Sequence, residues 1–185
     1  APEGNKKALW SACGYGDLNI VKQYMIDYKA TGTLEDELRR VDVEFGGTPL
    51  HWACLNGHIK VVHVLLQAGA HPDHRDKHDA TPLHLAADSG YTNVVQALIE
   101  SGAALELQDD GGHTPLHIAA LHGDLQLVQI LLSTISDHPS DLDLEDLDAK
   151  TALQLAVESS HVAVANALKQ AARQPPRAAA GKTVR

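Results

Sequence analysis

Residues 71 to 79 read HPDHRDKHD and hold three histidines and three aspartates in nine positions. Imidazole and carboxylate side chains are metal ligands, so the stretch first suggests a cation site. A zinc site needs three or four ligands converging at about 2 Å, with hydrogen-bonded support behind them. His74, Asp76 and His78 share a face only in an extended arm, because alternate side chains point the same way there. A turn between them destroys that convergence, so no metal is assigned.

Three further patterns invite chemistry and fail on spacing or context. Gly181, Lys182 and Thr183 have the end of a phosphate-binding loop, but Pro176 stands where that pattern requires glycine. Asp137, Asp141, Asp143, Glu145, Asp146 and Asp148 form an acidic run without Lys or Arg. The run lacks the glycine and ligand spacing of a calcium loop. It reads as a solvated face, suited if anything to a basic protein surface. His51, His84 and His117 recur at one interval of 33 residues, whereas a catalytic centre is a single constellation rather than a translated copy. No catalytic residue and no cofactor is assigned, and the chain is read as a non-enzyme.

That interval exposes the elements that must position these residues. TPLHWACLNGH from Thr48, TPLHLAADSGY from Thr81 and TPLHIAALHGD from Thr114 are copies 33 residues apart, and KALWSACGYGD from Lys7 and TALQLAVESSH from Thr151 align with them. In each central copy Thr suits a helix N-cap and Pro the first helical turn, where no amide donor is needed. Gly16, Gly57, Gly90 and Gly123 fall about nine residues on, where a left-handed residue ends the helix. A second helix follows with one apolar face, as in Ile59, Val62, Leu65 and Leu66 or Val94, Val95, Leu98 and Ile99. Gly69 and Gly102 close two of these helices.

Ala12, Ala53, Ala86, Ala119 and Ala156 occupy one register position, where small side chains let neighbouring first helices approach. Cys13 and Cys54 lie one residue on and are expected as buried free thiols about 8–10 Å apart, too far for a disulfide. Trp10 and Trp52 are expected to face neighbouring units and to be mainly structural.

These motifs and their period resemble the ankyrin repeat. The resemblance implies an all-α solenoid of five helix-turn-helix units with projecting β-hairpin-like fingers. The expected limits are an N-terminal segment 1–6, repeats at about 7–42, 43–75, 76–108, 109–145 and 146–172, and a basic tail 173–185 opened by Pro175 and Pro176. It also implies that each TPLH histidine hydrogen-bonds locally and to the neighbouring repeat. HPDHRDKHD becomes a finger, because Asp76 lies five residues before Thr81, as Asp109 and Asp146 lie five before Thr114 and Thr151. Asp76 then supports the turn, with Lys77 and His78 at its tip.

Two steps depart from the period. Lys7 to Thr48 spans 41 residues, with the surplus near DYKATGTLEDELRRVDV, where Thr33 is expected to cap a short helix with an acidic start and a basic end. Thr114 to Thr151 spans 37, enlarging the finger around the acidic run. In the last unit Ala152, Gln154 and Ser160 replace Pro, His and Gly, as terminal repeats often depart from consensus.

The resemblance implies a protein partner, held by finger tips and the concave ends of the first helices. Carried onto this sequence, the contact positions are Glu44, Phe45, Lys77, His78, Asp110 and His113 on the fingers and Arg75 and Gln108 just before them. On the first-helix ends they are Tyr15, Leu55, Asn56, Asp88, Ser89, Leu121 and His122. Tyr15, Phe45, Leu55 and Leu121 are large apolar groups at expected solvent positions. For Phe45 and Tyr15 packing on the first insertion is an equal alternative.

A net charge of −9 disfavours nucleic acid and anionic membrane as partners. No apolar run is long enough to span a bilayer, and the first ten residues lack a signal-peptide core. With free thiols this points to cytoplasm or nucleus, and the isolated chain is expected to be a monomer. Because it begins with Ala rather than Met, a processed, trimmed or excised chain stays open beside a full-length one. The rival function is therefore the ankyrin portion of a larger enzyme, or a regulatory subunit of a kinase or phosphatase.

Overall fold

The structure, a computed structural model, describes residues 9–135 and 139–173. The segment 1–6, the expected start at Lys7, Asp137, and the tail from 174 with its Gly-Lys-Thr lie outside the described residues. The chain divides into two compact units, with the boundary between Ala104 and Leu105.

The first unit holds three antiparallel helix pairs. They are α1 (Leu9–Gly14) with α2 (Leu18–Thr31), α4 (Pro49–Leu55) with α5 (Ile59–Gln67), and α6 (Pro82–Asp88) with α7 (Thr92–Glu100). A short helix, α3 (Leu34–Arg39), follows the first pair. First helices pack on first helices, α1 on α4 and α4 on α6, and second on second, α2 on α5 and α5 on α7. Ala12 and Ala53 are sealed between them, as their size allows. Val61, Val62, Leu65, Val94, Val95 and Leu98 form the second-helix core, whereas Ile59, Leu66 and Ile99 are only part-buried.

The second unit has two pairs, α8 (Pro115–His122) with α9 (Leu125–Ile135) and α10 (Ala152–Glu158) with α11 (Val162–Ala172). A 3₁₀ turn, Pro139–Asp143, packs on α9 and α11 and takes up part of the four-residue surplus.

Each TPLH helix opens with a reciprocal capping box between threonine and histidine, and Thr151 with Gln154 keeps the arrangement in the last pair. First helices are seven or eight residues long where the cap is present, so each ends at or before the residue preceding its left-handed position. That position is glycine at φ +71° in Gly57 and Gly123, and Ser160 adopts φ +60° in the same place.

The first insertion lengthens α2 to 14 residues, against nine in α5 and α7, and adds α3. Thr33 stands at the N-cap of α3 but supplies no side-chain cap; its hydroxyl instead meets Thr31 Oγ1 at 2.8 Å. Arg39 pairs with Glu35 at 2.7 Å on the surface, where such pairs contribute little, and Arg40 pairs with part-buried Glu37 at 3.2 Å.

The fingers form as turns rather than as strands. Among the described residues the backbone pairing is one isolated bridge, Glu145 to Thr151, together with single closing bonds such as Asp76 N to Ala80 O at 2.9 Å and Asp109 N to His113 O at 3.0 Å.

Candidate functional site

Each finger is organised by one aspartate. Asp76 Oδ1 accepts from His78 N and Ala80 N, Asp109 Oδ1 from Gly111 N and His113 N, and Asp146 Oδ1 from Asp148 N and Lys150 N, all between 2.8 and 3.0 Å. Two residues before each helix cap the backbone is left-handed, at Gly46, Asp79, Gly112 and Ala149. The first finger contains one extra residue, so its anchor is Asp42, six residues before Thr48, a role the five-residue spacing did not reveal. Asp42 accepts from Glu44 N and Phe45 N through Oδ1, and from Gly47 N and the Trp52 indole through Oδ2. Desolvation pushes its pKa up, but the Phe45 amide, the Trp52 indole N–H and the Gly47 and Glu44 amides outweigh that and hold it below the ordinary carboxylate value. Asp146 is likewise held low against desolvation, by the Lys150 and Asp148 amides and by His113 and His117.

The fingers of each unit are tied to their neighbours. Lys77 N donates to Phe45 O at 3.0 Å, and its ammonium donates to the carbonyls of Val43 at 2.5 Å and Glu44 at 3.0 Å. In the second unit Leu147 N donates to Gly111 O, and the Gln108 amide nitrogen bridges Gly112 O and Glu145 O at 2.7 Å each. His113 sits between Asp109, at 3.5 Å, and Asp146, at 3.7 Å.

The repeated histidines are framework. His51 Nδ1 accepts from Thr48 N at 3.1 Å, which leaves Nε2–H to donate to Ala80 O at 3.2 Å in the next pair. His117 repeats this with Thr114 N and Lys150 O. Burial pushes the His51 pKa down to about 4, and burial also lowers that of His117, so both rings are neutral near pH 7. A second set of rings escaped the sequence reading. His58 Nε2 donates to Gly14 O at 2.9 Å and His161 Nε2 to Leu121 O at 3.0 Å. Tyr91 holds the same place, its ring lying over Gly57. The signal was an aromatic ring directly after each left-handed position, Gly57, Gly90 and Ser160, which the helix pattern alone assigns to a loop.

Tyr15, Leu55, Asn56, Asp88 and Ser89 come together at the ends of α1, α4 and α6. A Cβ on Gly14 would touch both Trp52 and the Asn56 amide, and Ser89 Oγ donates to Leu55 O at 3.2 Å. Phe45 meets Trp52 edge-on at 5.6 Å, and Trp52 meets Trp10 at 5.7 Å. Phe45 therefore packs on the second pair's first helix, while 46% exposed. Tyr15 is 73% exposed. Glu44, Lys77 and His78 lie exposed on the adjoining tips, and Arg75 is 3.7 Å from Asp79. In the second unit Asp110, Leu121 and His122 are exposed, and His113 and Gln108 part-buried.

HPDHRDKHD is dispersed by the turn: Asp76 is spent on amides, the His74 ring lies edge-on to His51 at 6.2 Å, and His78 points to solvent. Among the described residues no three His, Cys, Asp or Glu side chains are grouped to hold a metal. Cys13 and Cys54 are free and buried, and burial pushes the Cys13 thiol up to about 12 and that of Cys54 upward as well. Neither is a nucleophile near neutral pH.

Helix pairs with TPLH capping boxes, bound pair to pair through the histidine and joined by aspartate-anchored fingers, define a class of repeat protein. The family model for ankyrin repeats (3 copies) matches residues 2–76 and 83–177, and the chain belongs to the ankyrin repeat family. No curated protein matches it. Ankyrin repeats are generally protein–protein interaction modules. Among the described residues no helix is long and apolar enough to cross a membrane.

Proposed function

We propose that this chain is a non-enzymatic module that binds a partner protein through its finger tips and the adjoining first-helix ends. The supporting observation is the aromatic surface of the first unit, where Phe45, Trp52 and Trp10 lie in a row beside exposed Tyr15 and Leu55. Folding gains nothing from leaving Tyr15 and Phe45 in water, whereas a partner gains contact area and desolvation from them. Glu44, Asn56, Asp88 and His78 supply a polar rim that selects the partner. The row stands on a fixed base, since the indole of Trp52 is held by Asp42 and its carbonyl by Asn56 Nδ2.

Affinity capture from native extract, wild type against Phe45→Ala with Leu55→Ala, tests the placement. A protein captured by wild type and lost with the double variant is the expected result. An unchanged set of captured proteins refutes this surface.

A further inference from the structure

Two register positions mark the faces through which helix pairs meet. The third residue of a second helix is buried where another pair precedes it within its own unit: Val61, Val94 and Val164 are no more than 1% exposed. The position six residues after the cap threonine is buried where another pair follows it within its unit: Cys54 and Ala120, together with the aligned Cys13, are 0% exposed. The first pair breaks the first rule and the last pair the second. Ile20, in the Val61 position of α2, is 41% exposed, and Val157, in the Cys54 position of α10, is 53% exposed. Val162, the first residue of α11, is 69% exposed, and Leu153, whose equivalents Leu50, Leu83 and Leu116 are buried, is part-exposed.

A repeat whose outer face meets only water usually places polar groups there. Ile20 and Val157 keep the apolar residue type of the buried joint, and each carries a different half of it. Charge is distributed to match. Residues 1–41 hold six acidic and six basic residues and 146–173 three and three, whereas 42–145 hold fifteen acidic and three basic. The net negative charge that would keep copies apart lies in the middle of the sequence, and the two terminal pairs carry none on balance.

We propose that the α10–α11 face of one copy, at Val157 and Val162, receives the α2 face of a second copy, at Ile20, reproducing between molecules the joint that the chain makes between its own repeats. The arrangement is heterologous, because the two surfaces differ, so each joint leaves one face of either kind for a further copy. The monomer expected from the sequence is then its dilute limit.

Sedimentation of the full chain over concentrations from about 1 µM to about 300 µM tests this. The weight-average mass of wild type should rise beyond that of a dimer. Ile20→Glu alone, and Val157→Glu with Val162→Glu alone, should each weaken association at least tenfold and stay monomeric. Each variant retains one working face, so an equimolar mixture of the two should give a one-to-one dimer and nothing larger. That complementation also shows that both variants are folded. Wild type remaining monomeric throughout would overturn the proposal, as would self-association of the Ile20→Glu protein or a mixture that stays monomeric.

Discussion

The Trp52 indole donates to Asp42 Oδ2 at 3.1 Å, which ties the first helix of the second pair to the finger that precedes it. Asp42 also accepts three backbone amides and is 4% exposed. Its removal therefore strands several donors at once. Asp42→Ala should cost about 3 kcal/mol, more than a typical single hydrogen bond, and Asp42→Asn less, because the amide oxygen still accepts. Urea unfolding followed by tryptophan emission measures both. A loss for Asp42→Ala under about 1 kcal/mol would contradict the anchoring role.

His51 predicts an acid instability. Its folded pKa, about 4, lies below the ordinary 6.5, so the unfolded chain binds the extra proton first as pH falls. Stability should be complete above pH 6.5, decline between 6.5 and about 4, and level off below that with about 3 kcal/mol lost, from this one group. His117 acts in the same direction. His51→Gln imitates the Gln154 cap and removes the titrating group, so its stability should vary less with pH over that window. Equal pH slopes for the variant and wild type would refute the assignment.

Two left-handed positions lack glycine in the last finger and last pair, Ala149 at φ 57° and Ser160 at φ 60°. An L side chain costs roughly 1–2 kcal/mol there, partly offset by the extra entropy glycine carries in the unfolded chain. Ala149→Gly and Ser160→Gly should each stabilise by about 0.5–1 kcal/mol. Hydrogen exchange should show residues 151–172 opening before α4–α7 in wild type, and the two substitutions should slow that opening.

Gly57 gives the opposite result. At φ +71° an added Cβ would lie 2.6–2.8 Å from the Tyr91 ring. Gly57→Ala should cost about 2 kcal/mol or more, from backbone strain and overpacking together. Tyr91→Ala with Gly57→Ala should recover the steric part but not the strain, so the two losses should not add.

Period and cap chemistry made the helix pairs legible, because Thr-Pro and Gly mark ends through local sterics that hold in any repeat. The β-hairpin-like fingers took the form of turns, since an aspartate that accepts two or three amides leaves little backbone for a ladder. Asp42 was hidden by one extra residue, which moved it out of the spacing that exposed Asp76, Asp109 and Asp146. The side chain of Thr33 matched a cap in type but bonds Thr31. Exposed Tyr15 and half-exposed Phe45 were readable as solvent positions, but the row from Phe45 through Trp52 to Trp10 depends on contacts across 42 residues of sequence. Ile20 and Val157 look like ordinary core residues in a periodic pattern, because periodicity gives a residue's face and not whether that face has a neighbour.

The aspartate-anchored turn separates two jobs that most loops combine. In the last finger the turn is held by the Asp146 carboxylate and main-chain amides, so the side chains of Leu147 and Asp148 stand outside that frame. That tip is an interchangeable cassette: two side chains can be exchanged there without touching the bonds that hold the turn.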